Sequence, residues 1–245
     1  MKSVKRLFLV IFIVYLLPTF ASAGLWAMKD RPGRWSEARW SSAGILPKAD
    51  ESEEAAIYVF SAMTGGLKGA VASHAWIVTK EKGAETYTRY DKVGWGKPMR
   101  RNGYPADAYW YSNMPELVTS VTGAKAELLI PGIGEAIAAY PYSEPGGYTI
   151  WPGPNSNTFV AYVLREVPEL GAVLPPHAVG RDYLPDGEFV HLDDDWRDLH
   201  VTLRGLLGFS AGMRSGLEIH VLGLVAGIDI ANPGIKLPAV GRIGF

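Results

Sequence analysis

Two short segments carry the residue types that nucleophilic catalysis needs. The segment SHAWIV contains His74 in the middle of an apolar, β-rich run, and the segment GPNSNTF contains Ser156 directly after Asn155. A histidine can take the proton of a serine hydroxyl as that hydroxyl attacks a carbonyl carbon, which is the chemistry of acyl transfer. The chain contains no cysteine, so a covalent nucleophile in this protein has to be an oxygen or an amine.

The surroundings of Ser156 predict the start of a helix. A turn rich in proline and glycine precedes Asn155, which is a favourable helix cap, and apolar residues then recur with helical spacing to about Val167. Ser156 therefore falls in the first turn, where free backbone N–H groups can stabilise an oxyanion. A purely structural interpretation also accounts for this segment without any catalysis, because Asn155, Ser156, Asn157 and Thr158 are all ordinary helix-capping residues.

The surroundings of His74 predict a strand over Ser73–Thr79. Alternation puts His74 and Trp76 on one face of that strand. A histidine among such neighbours is either a core residue with satisfied polar atoms or a general base that faces a cleft. Similar β-rich runs predict further strands over Ala55–Phe60 and Glu85–Val93, in an antiparallel meander with this one.

Together the two segments resemble the circularly permuted papain-like group, in which the catalytic histidine precedes the nucleophile along the chain. The PPPDE-type deubiquitinating and deSUMOylating peptidases pair an H-x-x-I-V strand with N-C-N-T-F at a helix start. The lecithin:retinol acyltransferase family carries a similar N-C-E-H-F. The resemblance covers Ala56–Val167 and departs at one position, where Ser156 stands in place of the catalytic cysteine of those families.

This resemblance implies an α+β fold with an antiparallel sheet and packed helices, arranged as in permuted papain-like proteins. It implies that His74 is the general base and Ser156 the nucleophile. The Ser156 N–H and the Asn155 amide are the expected oxyanion donors, and Asn157 is a further donor or orienting residue. Those families also orient their histidine with a third polar residue. The following strand offers four candidates that the sequence leaves open: Thr86, Tyr87, Arg89 and Asp91.

The N-terminus predicts a secretory signal peptide over residues 1–23. Three basic residues are followed by the apolar run Leu7–Leu17 and by the small-residue motif A-S-A, which signal peptidase reads. We expect cleavage after Ala23 and export to the periplasm or cell envelope, and an uncleaved anchor is the alternative. Residues 24–50 are expected to form an extended arm, and residues 51–245 a single α+β domain.

The rest of the chain gives weaker patterns. Asp193–Asp195 reads as a solvated acidic turn, because it lacks the ligand spacing of a calcium loop. The other predicted elements are a short helix over Pro115–Val121, a bent or divided helix over Glu127–Tyr140 and a brief strand over Tyr148–Trp151. The segments Leu199–Phe209 and Leu217–Ile230 are predicted to form a C-terminal strand hairpin, with a buried helix as the alternative for the second.

The composition excludes several classes of function. The chain has 245 residues, a formal net charge of −1 and 48% hydrophobic residues, which describes a folded protein without the basic field that captures nucleic acid. Without cysteine there is no zinc–thiolate or iron–sulfur site, and the histidines show no metal-ligand pairing. No metal and no cofactor is therefore expected.

Three functions remain open at this point. The first is a Ser/His hydrolase or acyltransferase acting on an envelope amide or lipid ester. The second is a catalytically inactive papain-like module that binds an envelope peptide or lipid, and the third is a structural envelope protein with no site. The chain, with GPNSNTF and the closing KLPAVGRIGF, also resembles a bacterial family of exported proteins with no assigned activity. Its apolar C-terminal segment is a candidate for peripheral membrane contact.

Overall fold

In the computed structural model, which describes residues 2–244, the chain begins with one long helix. It runs as α1 (Lys2–Ile11), a π-helical turn (Phe12–Leu16) and α2 (Leu17–Met28). This helix is long and apolar enough to cross a membrane, and its place at the N-terminus is equally compatible with a signal sequence. Residues 29–55 follow as a largely irregular segment with two short 3₁₀ turns.

The first sheet has five antiparallel strands. They are β1 (Ala56–Met63), β2 (Ser73–Lys80), β3 (Thr88–Lys92), β4 (Met99–Arg101) and β5 (Glu116–Thr122), in the spatial order β4-β3-β2-β1-β5. Both faces of the central strands are covered, which explains why these segments are almost continuously apolar.

Two helices pack on one face of this sheet. They are α3 (Gly123–Ala139), which continues through Pro131, and α4 (Ser156–Glu166). The side chains of Ile57 and Ile77 meet Phe159 of α4 in this core. The other face holds an aromatic cluster: Phe60, Trp76, Val78 and Trp110, with Trp40 from the segment before β1. Alternation along β2 places His74 on this aromatic face together with Trp76.

The second sheet occupies the C-terminal part of the chain. It has seven antiparallel strands joined in sequence: β6 (Val190–Leu192), β7 (Asp198–Thr202), β8 (Leu207–Gly212), β9 (Gly216–Val221), β10 (Leu224–Asp229), β11 (Gly234–Leu237) and β12 (Gly241–Gly244). The protein is thus an α+β fold with helices and two antiparallel sheets.

The inner side of the second sheet is polar. Glu218 of β9 is 2% exposed and accepts a hydrogen bond from Lys236 of β11 at 2.6 Å. The Arg181 guanidinium also donates to Glu218. Together these charges hold the pKa of the Glu218 carboxyl well below its usual range, although burial alone would raise it. Ion pairs therefore replace an apolar core between this sheet and the rest of the protein.

Three predictions for segments after residue 114 were wrong. The segment Pro115–Val121 forms strand β5 rather than a helix, because its β-branched residues pair with β1 at the sheet edge. Tyr148–Trp151 is irregular. The segments predicted as one C-terminal hairpin contribute four strands of the seven-stranded sheet, since each is interrupted by a turn.

The acidic run over Asp193–Asp195 is only partly solvated. Asp193 is buried and accepts a hydrogen bond from Arg214 at 2.7 Å, and Asp198 pairs with the same arginine at 3.1 Å. Asp194 and Asp195 are exposed. The expectation of a solvated turn was wrong for Asp193, because its cation partner lies 21 residues away and leaves no local signal.

Candidate active site

A cleft of about 440 Å³ lies where β2 meets the start of α4. His74 and Ser156 both line it, and so do Asn155 and Asn157. Six aromatic residues from distant parts of the chain also line it: Trp35, Trp95, Trp110, Tyr111, Tyr148 and Trp151. The structure therefore brings all four sequence-predicted site residues to one cavity, in which His74 and Ser156 are each less than 5% exposed.

Asn155 caps α4, as the sequence predicts. Its Oδ1 accepts hydrogen bonds from the backbone N–H groups of Asn157 at 2.9 Å and Thr158 at 3.2 Å. Its Nδ2 donates to the carbonyl oxygens of Ile150 and Val179, each at 3.0 Å. Both amide hydrogens are thus engaged, so the Asn155 side chain positions the helix start and offers no free donor to an oxyanion.

Asn157 ties the helix start to the strand that carries His74. Its Nδ2 donates to the carbonyl oxygen of Ser73 and to that of Val179, each at 2.9 Å. These bonds fix α4 beside the backbone of β2, one residue before His74. Asn157 therefore has the geometry of an orienting residue.

Gly180 makes room for the Asn155 cap. Its φ of +93° lies in a region that side-chain-bearing residues rarely adopt, and a Cβ there would stand 2.3 Å from Asn155 Nδ2. The carbonyl of Gly180 also accepts a hydrogen bond from the Thr158 hydroxyl at 2.7 Å. The cap thus depends on a glycine 25 positions downstream.

His74 is oriented by Asp91 of strand β3. Its Nε2 lies 3.0 Å from Asp91 Oδ1, and both side chains are buried. Because an ionised carboxylate only accepts, Nε2 carries the hydrogen and Nδ1 keeps a free lone pair. Nδ1 makes no hydrogen bond within residues 2–244, so it is the nitrogen available to act as a base. Asp91 thereby fills the third position that the sequence left open among four candidates.

Arg89, a second of those candidates, supports the carboxylate. Its Nε donates to Asp91 Oδ2 at 2.7 Å and its Nη2 donates to Oδ1 at 2.8 Å, a bidentate pair that is buried on both sides. The Arg89 guanidinium also lies 4.0 Å from the centroid of the Trp76 ring. Packing and charge together hold Asp91 in place behind His74.

The electrostatics of this cluster favour a neutral base beside an ionised acid. Burial lowers the pKa of His74 despite the hydrogen bond to Asp91, which opposes the shift. Burial would raise the pKa of Asp91, but Arg89 and His74 outweigh it and lower the value to about 2. At neutral pH His74 is therefore an uncharged imidazole, which is the form that can accept a proton.

Two aromatic residues that the sequence did not single out complete the site. The ring of Trp110 stacks on the His74 imidazole with centroids 3.7 Å apart and planes 5° apart, which fixes the plane of the base. Tyr148 lies against Gly94, where a Cβ would come within 2.7 Å of its ring. Burial raises the pKa of Tyr148, and hydrogen bonding with the side chain and backbone of Ser156 opposes that rise.

No local pattern could have found these two residues. Trp110 follows a loop rich in aromatic residues, and Tyr148 stands in an irregular segment between the two helices. Each reaches the site only because the chain folds back. Within the described part of the chain, no group of three or more histidine, aspartate or glutamate side chains has the arrangement of a metal site.

We expect Asp91 to make the protein acid-sensitive in a defined window. Because its folded-state pKa is depressed to about 2, its stabilising contribution is complete above about pH 4 and is lost as the pH falls toward 2. The shift corresponds to about 2 kcal/mol in the free energy of unfolding. Urea unfolding between pH 2 and 5 measures it, with Asp91→Asn as the matched variant. Parallel pH curves for the two proteins would contradict the assignment.

Fold and cleft together describe a class: an α+β protein in which a serine at a helix N-terminus and a histidine held by a buried aspartate line one cavity. Comparison with protein families adds that residues 54–183, more than half of the chain, match a family described as "Protein of unknown function (DUF3750)". The chain belongs to this family. The matched region contains β1 to β5, both packed helices and the whole His74–Asp91–Ser156 cluster.

Two further comparisons gave no relative. Neither the search of curated proteins nor the search of solved structures returned a match.

Proposed function

We propose that this protein is a serine-dependent acyl-transfer enzyme, a hydrolase or acyltransferase, acting on an amide or ester of the cell envelope. The observation that carries the proposal is that His74, hydrogen-bonded to Asp91 at 3.0 Å, lines the same cleft as Ser156. A histidine with one ring nitrogen held by a buried carboxylate and the other free is the arrangement of a general base. The resemblance to permuted papain-like enzymes supports the same assignment of roles.

The chemistry would proceed in two steps. The Ser156 hydroxyl attacks the substrate carbonyl carbon while its proton passes to Nδ1 of His74, and the departing amine or alcohol then takes that proton. A water molecule, or an acceptor alcohol in a transferase, next gives its proton to His74 and attacks the acyl-enzyme, releasing the acid or new ester and restoring the serine.

The oxyanion of each tetrahedral intermediate needs two donors. The backbone N–H of Ser156 lies in the first turn of α4, where N–H groups have no acceptor within the helix. The Asn155 amide is engaged with two carbonyls, so in this proposal the second donor is the phenol of Tyr148, which lines the same cleft as Ser156. Asp91 and Arg89 act through His74 by fixing its tautomer.

Labelling with a fluorophosphonate probe tests the proposal. The purified full chain in detergent should be labelled on a single residue, and Ser156→Ala or His74→Ala should abolish the labelling. Ser73→Ala is the matched control, because Ser73 lines the same cleft but lies outside α4. Labelling that survives Ser156→Ala, or an unlabelled native chain with correct circular dichroism, would overturn the proposal.

Tyr148→Phe should lower the rate of probe labelling by about 10²-fold, the usual effect of losing one oxyanion donor. Only the phenol hydroxyl group is removed, so packing of the ring against Gly94 persists. The rate constant of labelling at fixed probe concentration measures the effect, and the melting temperature serves as the control. An unchanged rate would remove Tyr148 from the proposed mechanism.

The aromatic wall of the cleft favours a second candidate, a binding module without catalysis. Six aromatic side chains line the cavity, and such a surface suits an apolar peptide or lipid. A hydroxyl, unlike a thiol, is not ionised beside an imidazole, so the serine is the weaker nucleophile. A ligand that Ser156→Ala retains at full affinity, with no turnover by the native chain, would favour this candidate.

Export is part of the proposal, with Gly24 as the first residue of the mature chain. The helix α2 continues through the expected cleavage point to Met28, so cleavage would remove most of the N-terminal helix. An intact-mass measurement on protein isolated from the producing cells should give the mass of residues 24–245. The mass of the full chain would instead indicate a retained anchor.

A further inference from the structure

The outer side of the seven-stranded sheet is apolar from edge to edge. The strand register aligns one residue from each strand in a single row across the sheet, and all seven are apolar: Leu192, Leu199, Ala211, Leu217, Ile228, Ile235 and Ile243. A parallel row adds Val190, Val201, Phe209 and Ile219. We call these two rows the outer face.

The outer face is open although its residues are those of a protein core. Leu217 is 47% exposed, Ile219 53% and Ile235 41%. The alternate positions on the same strands, including Glu218 and Lys236, point inward and are buried in ion pairs. A water-facing sheet usually buries its apolar side chains and exposes its polar ones, and this sheet has the opposite arrangement. A continuous apolar surface of this kind marks a site of interaction.

The N-terminal helix indicates what covers the outer face. The hydroxyl of Tyr15 donates to the carbonyl oxygen of Ile219 at 2.9 Å, and the helix contacts β10 as well. Further along, Ser22 donates to the Ala70 carbonyl at 2.6 Å and the indole of Trp26 to the Gly66 carbonyl at 2.9 Å. These residues form one stripe along the helix, so a single side of it is docked on the protein.

The free sides of the helix are apolar too. Leu7, Phe8 and Phe20 are exposed, and the helix has the length and hydropathy of a membrane span. A helix that binds another protein has a polar side facing water, whereas this one has none along its apolar run. Lys2, Lys5 and Arg6 precede that run and suit the anionic headgroups at a bilayer surface.

We propose that the outer face of the seven-stranded sheet binds a lipid bilayer, with its aliphatic side chains among the lipids beside the N-terminal helix. In the full chain, helix and sheet then present adjoining apolar surfaces to the same medium. In a chain cleaved after Ala23, the outer face alone makes this contact. The inward-facing ion pairs follow from this arrangement, because charged side chains on the other side would lie in lipid. This proposal does not depend on catalysis at Ser156.

The absence of cysteine makes a direct test possible. Leu217→Cys and Ile235→Cys, each in the full chain, are labelled with the environment-sensitive fluorophore NBD and reconstituted in phosphatidylethanolamine–phosphatidylglycerol vesicles. Lys48→Cys is the control, since its side chain is exposed in the segment before β1. We expect a blue-shifted emission at both sheet positions that doxyl-labelled lipids quench and iodide in the water does not, with the opposite pattern at Lys48.

Two outcomes would overturn the proposal. Water-like emission at Leu217 and Ile235, quenched by iodide, would mean that the outer face is solvated. A blue shift that doxyl lipids do not quench, and that grows with the protein-to-lipid ratio, would mean that a second copy of the chain covers it. Both sheet positions are half-exposed in the structure, so the label does not disturb a core, and circular dichroism of each labelled protein checks folding.

Discussion

Replacing Ser156 by cysteine is expected to create a thiol that reacts with iodoacetamide about tenfold or more faster than free cysteine at pH 6. The new thiol would stand in the first turn of α4 and share its cleft with His74. The positive end of the helix dipole stabilises a thiolate, and neutral His74 can accept the thiol proton to form a thiolate–imidazolium pair. Both effects lower the pKa of the thiol. Because the native chain has no cysteine, mass spectrometry reads the alkylation of this one residue without background.

Two matched variants separate the contribution of His74 from that of the helix dipole. His74→Ala added to Ser156→Cys should return most of the reactivity to that of an ordinary thiol, leaving only the effect of the helix. Ser73→Cys puts a thiol in the same cleft but on β2, and it should react slowly. If Ser156→Cys alkylated no faster than Ser73→Cys between pH 5 and 8, the two side chains would not form a functional pair.

The second large effect concerns stability. Asp91→Ala is expected to lower the free energy of unfolding by about 3–5 kcal/mol, because it leaves a buried arginine without its counter-charge. Asp91 is fully buried and Arg89 is 1% exposed, so water cannot replace the lost partner. The same variant also frees Nε2 of His74. Urea unfolding at pH 7, followed by tryptophan fluorescence, measures the loss.

A double variant tests whether the unpaired buried charge causes this loss of stability. Arg89→Met alone should also destabilise the protein, since it leaves the Asp91 carboxylate unpaired. Arg89→Met combined with Asp91→Ala should lose much less than the sum of the two single changes, because no unpaired charge remains. Strictly additive losses would mean that packing around Trp76, rather than the ion pair, accounts for the effect.

The local features of the site were predictable from short-range patterns. The strand around His74 followed from its apolar, β-branched residues, and the cap at Asn155 followed from a polar residue placed directly before a helical repeat. Both signals come from neighbours within a few positions, where backbone propensity and hydrogen bonding act. The helix start that the sequence predicts therefore agrees with the start of α4 at Ser156 in the structure.

The errors arose where partners are distant in sequence. The segment Pro115–Val121 became an edge strand because β1 was available to pair with it, and such pairing has no local signature. The sequence predicts a solvated Asp193, because no neighbouring residue indicates that Arg214 pairs with it. The sequence predicts strands for the apolar C-terminal segments. The number of strands depends on turns that composition alone does not locate.

By itself, the sequence determined the α+β elements around the site, the capped helix that carries Ser156, the strand that carries His74 and the apolar N-terminal segment. Only the tertiary structure decided that Asp91 orients His74 and that Tyr148 and Trp110 complete the cleft. It also decided that the last seven strands turn their apolar side outward. The physical reason is that propensity and periodicity act over a few residues, whereas ion pairs, stacking and the choice of buried face depend on groups that only the folded chain brings together.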